Sequence, residues 1–132
     1  MARRWILVVV AMLVGSISKG SGAEQASGEL LYRRYCASCH GIDGRGDGPV
    51  APALVTPPAD LTRLDAGVPE LMRQIDGRAM AHAHGSAQMP VWGRVFEEAH
   101  VGDPHPQRTT LQEVEILADY VHRLQKRADT SR

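Results

Sequence analysis

Two cysteines with two residues between them and a histidine directly after, Cys36-Ala37-Ser38-Cys39-His40, constrain this chain more than any other feature. At that spacing two sulfurs can add to the two vinyl groups of one porphyrin, and the imidazole then lies beneath its metal. These are the only cysteines in the 132 residues, so none is left to build a disulfide framework. A thioredoxin-like redox pair wants a βαβ context, and no β-branched, alternating stretch precedes Cys36. A zinc site wants a second pair of ligands at tight spacing, and His82 and His84 stand too close together for the usual half-site. The motif reads as covalent attachment of one haem c, with thioethers at Cys36 and Cys39 and His40 as an axial ligand.

The N-terminus agrees with that reading. Arg3 and Arg4 precede the nine-residue apolar run Ile6–Val14, and small and polar residues lead to Ser21-Gly22-Ala23. This is the three-part pattern of a secretory leader cut after Ala23. The run is short for a bilayer span, so an uncleaved anchor is the lesser alternative. Residues 1–23 are expected to be a signal peptide and 24–132 a single domain. Since haem is joined to thiols outside the bacterial cytoplasm, export to the periplasm is the expected fate.

Removal of the leader leaves 109 residues. Arg3, Arg4 and Lys19 go with it, so 12 bases face 15 acids and the formal charge is −3. Nothing here is basic enough for nucleic acid. Only five aromatic residues remain: Tyr32, Tyr35, Trp92, Phe96 and Tyr120. That is a thin core for the length, and a buried porphyrin would supply much of the missing apolar area.

The pattern along the chain is helical. A first helix is expected from about Ala26 to Cys36, with Leu30, Leu31 and Tyr35 on its apolar face. Gly41 to Asp65 is crowded with glycine and proline and reads as a loop. A loop that long inside a compact domain needs a task, and wrapping the edge of a cofactor is one. A short helix should run from Pro69 to about Ile75 with Leu71, Met72 and Ile75 facing inward and Gly77 as its stop. Arg78 to Pro90 is a second loop, holding Met80, His82, His84 and Met89. Glu97 to Thr109 looks like an exposed connection. Thr110-Leu111-Gln112-Glu113 matches a capping box. Leu111, Val114, Leu117, Tyr120, Val121 and Leu124 follow on one face, with a frayed tail from Ala128.

The whole arrangement resembles a class I cytochrome c of the bacterial monohaem kind. The haem motif comes right after the first helix. His40-Gly41-Ile42-Asp43-Gly44-Arg45-Gly46-Asp47-Gly48-Pro49 is similar to that family's glycine-rich loop, and Met89-Pro90-Val91-Trp92-Gly93 to its sixth-ligand segment. The resemblance covers Glu24 to Arg127. It implies an all-α cytochrome c fold, about three to five helices wrapped around one covalently attached haem. His40 would be the proximal ligand and Met89 the distal one. Gly28 and Tyr32 would meet the last helix near Tyr120. A proline would offer its carbonyl to the haem histidine, and Pro52 is the expected donor of that carbonyl, with Pro49 second.

The residues themselves favour Met89 among the methionines. Met1 and Met12 leave with the leader, and Met72 sits on a helical apolar face. Met89 precedes a proline, which holds it extended, and Met80 does not. Met80, His82, His84 or an open position remain alternatives. Trp92 and Phe96 belong either beside the ring or in the core, and Arg73, Arg78 and Arg94 could each meet a propionate. The function expected is one-electron transport in the periplasm, with no catalytic residue. Its partners would be redox proteins: a dehydrogenase, an oxidase or another cytochrome, some of them membrane-associated. A cytochrome subunit of a periplasmic dehydrogenase is the alternative; an open-iron haem enzyme or gas binder ranks below it.

Overall fold

The structure is a computed structural model that describes residues 20–79 and 89–130. Most of the leader, together with Met80, His82 and His84, lies outside the described residues. Among those described there are five α-helices and no strand: α1 (Gly20–Tyr35), α2 (Ala37–His40), α3 (Val68–Asp76), α4 (Trp92–Ala99) and α5 (Pro106–Thr130). Two 3-10 turns, Ala51–Ala53 and Leu61–Arg63, punctuate the long loop between α2 and α3. No helix of the described residues is long and apolar enough to cross a membrane.

The last helix is the platform. Val114, Leu117, Ala118, Val121 and Leu124 recur at three- and four-residue spacing and are all buried. That is the apolar stripe of a helix with one face in the core. α1, α3, α4 and the Leu61–Arg63 turn all pack on it. From α3 come the buried Leu71 and Ile75, with Met72 partly buried beside them. The α3 chain stops at Gly77, which takes a left-handed φ of 68° and returns its N–H to the Arg73 carbonyl at 3.0 Å.

α1 crosses α5 at a close approach. A Cβ on Gly28 would sit 3.0 Å from the Tyr120 Cβ and 3.1 Å from the Ile116 carbonyl oxygen. Only a residue without a side chain lets the two backbones come so near. One turn on, the Tyr32 and Tyr120 rings meet with centroids 5.1 Å apart. The expected meeting of Gly28 and Tyr32 with the last helix near Tyr120 is what the structure has. The apolar face of α1 is rotated slightly from expectation: Leu30 is exposed, and the inward positions are Gly28, Leu31, Tyr32 and Tyr35.

Three other expectations need correcting. The stretch from Glu97 is not all connection, because α4 runs from Trp92 to Ala99 and buries Gly93 and Phe96. Thr110 does not cap α5, which starts four residues earlier at Pro106. Proline suits a helix's first position because its missing N–H would have had no partner there. Asp103 ties down that start, accepting from the His105 N–H at 2.8 Å and the Thr109 hydroxyl at 2.8 Å. Thr110 is buried instead, and Glu113 faces His100 at 3.0 Å. Leu111, one turn from the helix start, is exposed. At the other end α5 continues to Thr130, past the expected fraying point.

The helix crossing gives a direct test. Gly28→Val should overpack the contact with Tyr120 and cost about 2 kcal/mol of unfolding free energy, read as a lower urea midpoint at an unchanged slope.

Candidate cofactor site

The Cys36–His40 segment is a single tight turn. The Cys39 and His40 N–H groups both reach the Cys36 carbonyl, at 3.2 and 2.9 Å, and the Gly41 N–H reaches Ala37 at 3.0 Å. Residues three and four apart on a helix are neighbours, so Cys36 faces both Cys39 and His40. Both cysteines are free thiols, Cys36 buried and Cys39 partly so. Burial pushes the Cys36 thiol up to about 12, and the neighbouring Cys39 adds to the shift. Tyr32, fully buried one turn earlier, donates its hydroxyl to the Gly41 carbonyl at 2.8 Å. Burial pushes that phenol above its ordinary value, with Cys36 adding, so it stays a donor.

A helix this short leaves its carbonyls without intrahelical partners. The glycine-rich loop supplies them. The N–H groups of Val50, Gly48 and Gly46 donate to the carbonyls of Ser38, Cys39 and His40 at 2.9, 3.1 and 2.8 Å. To lie this close the loop must have no side chain at Gly48, where a Cβ would fall 2.4 Å from the Ser38 carbonyl oxygen. Gly41, Gly44 and Gly46 make the bends, with φ of 77°, 76° and 79°. The glycine pattern singled out in the sequence is therefore the surface on which the two-thiol turn rests.

The partner of His40 is not the proline expected. Its Nδ1 lies 3.0 Å from the carbonyl oxygen of Ala59, while Pro52 sits in the first 3-10 turn. A carbonyl only accepts, so Nδ1 carries a hydrogen, and Nε2 is the nitrogen left to face a metal. That is the second-shell arrangement by which a protein fixes a ligating imidazole's tautomer and orientation. A signal existed in Pro57-Pro58. Two successive residues without N–H groups hold the chain extended and offer carbonyls alone.

Met89 is exposed over 45 % of its surface and stands three residues before α4. Trp92 and Phe96 join Tyr35 in an aromatic cluster with centroids 5.1 to 5.6 Å apart. Phe96 is in the core, and Trp92 is half-buried against it. Two of the three arginines considered for propionates are engaged elsewhere. Arg73 pairs with Glu70 within α3. Arg78 forks onto Asp76 at 2.7 and 3.0 Å and reaches Glu97 at 2.9 Å. Arg94 is exposed on α4. This three-residue network went unnoticed in the sequence because its members are 2 and 19 residues apart.

The residues fit haem c. Two unlinked thiols share one helical turn, and the following imidazole has one nitrogen tied and one free. Ile42, Val50 and Val55 on the loop after the motif, and Met89 beyond it, are exposed apolar side chains that a porphyrin could cover. A separate cleft of about 530 Å³ lies between the Leu61–Arg63 turn and α5. It is lined by Arg63, Asp65, His122 and Lys126 among others and by no residue of the Cys36–His40 turn, so its charged walls do not suit an apolar ring. Among the described residues no group of three or more His, Cys, Asp and Glu side chains is placed to hold a bare metal ion.

Comparison with known families then gives one match: the model described as Cytochrome C oxidase, cbb3-type, subunit III, over residues 23–103. That is more than half of the chain. Searches of curated proteins and of solved structures found no match.

Two measurements test the site's construction. Gly48→Ala should drive a methyl into the α2 backbone and destabilise the protein by about 3 kcal/mol. Gly67→Ala, where the new Cβ meets only the Pro69 ring at 3.8 Å, should cost less than about 1 kcal/mol. The second concerns acid. Hydrogen bonds from Arg78 hold the Asp76 carboxyl below the usual carboxylate range, against the opposing effect of burial. A carboxyl depressed by folding stabilises the native state above its unfolded pKa, about 3.9. That contribution is lost as pH falls through the lower folded value. Asp76→Asn should therefore be less stable than wild type at neutral pH, and the two denaturation midpoints should converge as the pH drops below the ordinary carboxylate range.

Proposed function

This chain belongs to the cytochrome c family whose model describes subunit III of cbb3-type cytochrome oxidase, and from that premise we propose that it is an exported carrier of single electrons with one haem c. Membership in the family makes it a haem-binding electron-transfer protein. The finer reading is that Cys36 and Cys39 form the thioethers, His40 Nε2 is the proximal ligand and the Met89 thioether the distal one.

The observation that carries the reading is the hydrogen bond from His40 Nδ1 to the Ala59 carbonyl. It presents an imidazole, already oriented, on the turn that holds both thiols. When bound, the haem supplies a one-electron iron couple, which imidazole and thioether ligands together bias toward the reduced form. The chain's own work is to keep the Nδ1 proton in place, hold the two ligating side chains and keep water from the metal. No side chain is asked to act as acid, base or nucleophile, which supports a carrier and not an enzyme.

Residues 1–23 read as a secretory leader support a periplasmic location. A cut after Ala23 would shorten α1 at its N-terminal end and would leave the contacts of Gly28 and Tyr32 with α5 intact. Its partners are redox proteins: a dehydrogenase, an oxidase or another cytochrome. The family's description favours a second reading, a cytochrome subunit held in an oxidoreductase complex. Co-purification with a partner at fixed ratio would select it.

Protein made in cells competent for cytochrome maturation should weigh one haem more than the processed polypeptide, and its alkaline pyridine spectrum should be that of a porphyrin with both vinyls saturated. Oxidised wild type should show the weak sulfur-to-iron charge-transfer band, and Met89→Ala should lose it. An unmodified polypeptide would overturn the reading. A band that survives the substitution would move the distal ligand to Met80, and a wild type with no such band would point to His82, His84 or an open iron.

A further inference from the structure

We propose that Arg78 is a positioning residue for the distal ligand, a clamp that fastens both ends of the chain segment bearing Met89. The proposal rests on the reading of Met89 as that ligand.

The segment joins α3 to α4. It leaves α3 through Gly77 and re-enters helix after Val91. Arg78 stands at its first end. Its Nε donates to Asp76 Oδ1 at 2.7 Å and an Nη to Asp76 Oδ2 at 3.0 Å, a two-pronged grip on the last residue of α3. Its other Nη donates to Glu97 Oε2 at 2.9 Å, on the second turn of α4. One planar guanidinium thus ties residue 76 to residue 97, with Met89 between them.

The clamp is built into the backbone as well. A Cβ on Gly93 would fall 2.1 Å from Asp76 Oδ1 and 2.7 Å from Arg78 Nε, so the ion pair lies directly on the first turn of α4. Beside it, a Cβ on Gly77 would meet Val91 at 3.5 Å, so the two ends of the segment also lie side by side at Gly77 and Val91. Gly93, four residues after Met89, is therefore needed for the clamp to seat. Lysine could not replace Arg78, because a point charge lacks the fork that grips one carboxylate with two donors while reaching another.

A side chain on a segment pinned at both ends explores fewer positions than one on an open segment. It therefore meets its target at a higher effective concentration. An external ligand for the ferric iron competes with Met89 for one position. Its apparent affinity scales with the fraction of protein whose methionine is off. Releasing the clamp raises that fraction without touching the ligand itself.

The test uses haem-loaded, full-length protein and imidazole as the competing ligand. Arg78→Met keeps the apolar stem and removes the fork. It should bind imidazole about tenfold more tightly than wild type and show a weaker charge-transfer band at equal haem content. Glu97→Gln, which leaves the grip on Asp76, should fall between the two. Arg73→Met, which removes only a pair within α3, should match wild type. Equal imidazole affinity in wild type and Arg78→Met would overturn the clamp while leaving Met89 in place. Equal affinity in wild type and Met89→Ala would overturn the ligand reading itself, and the clamp with it. If Arg78→Met yields no folded protein, Glu97→Gln decides by the same comparison.

Discussion

A helix of four residues cannot satisfy its own carbonyls, and that shortage organises this molecule. Cys36, at the head of Ala37–His40, and Cys39 and His40 within it bring both thiols and the histidine into one turn. Its exposed carbonyl ends must then find donors elsewhere. The loop that follows bends through three left-handed glycines so that its own N–H groups reach them. The loop can approach only because Gly48 has no side chain. Onward from there the same chain brings the Ala59 carbonyl to His40. The irregular stretch between α2 and α3 is thus a set of backbone hydrogen bonds with a determined path, although it has little regular secondary structure.

α5 carries the other half of the architecture. Its buried stripe receives α1, α3 and α4, and its contact with Gly28 and Tyr32 fixes where α1 ends and hence where the thiol turn begins. Tyr32 links the two halves. Its ring packs on Tyr120, and its hydroxyl holds Gly41, the residue that closes α2. A displacement of the long helix would be felt at the cofactor turn through this one side chain.

Much of this was legible in the residues. The thiol and histidine spacing, the glycine run and the apolar face of α5 follow from local chemistry and helical period, whereas the meeting of Gly28 and Tyr32 with Tyr120 is implied only by the family resemblance. The misses have particular causes. α4 has eight residues, too few for its period to stand out beside a loop. Thr110 and Glu113 have the spacing of a cap, yet Pro106 offers a better start and the pair is absorbed into the helix. Pro52, with Pro49 second, is the carbonyl the resemblance implies, yet Ala59 supplies it, because proximity in sequence says nothing about which carbonyl a folded loop returns to the histidine. The Asp76, Arg78 and Glu97 network spans two helices, and nothing local marks it.

The acceptor that orients His40 belongs to the main chain. A side chain at position 59 can be exchanged for another without deleting it, since every residue type carries the same carbonyl. Imidazole tautomer is therefore insulated from genetic drift at that position, and only changes that redirect the backbone path can reach it. A chain built this way can vary the residues around its redox centre, and so diversify its surface, while the proton on Nδ1 stays where the chemistry requires it.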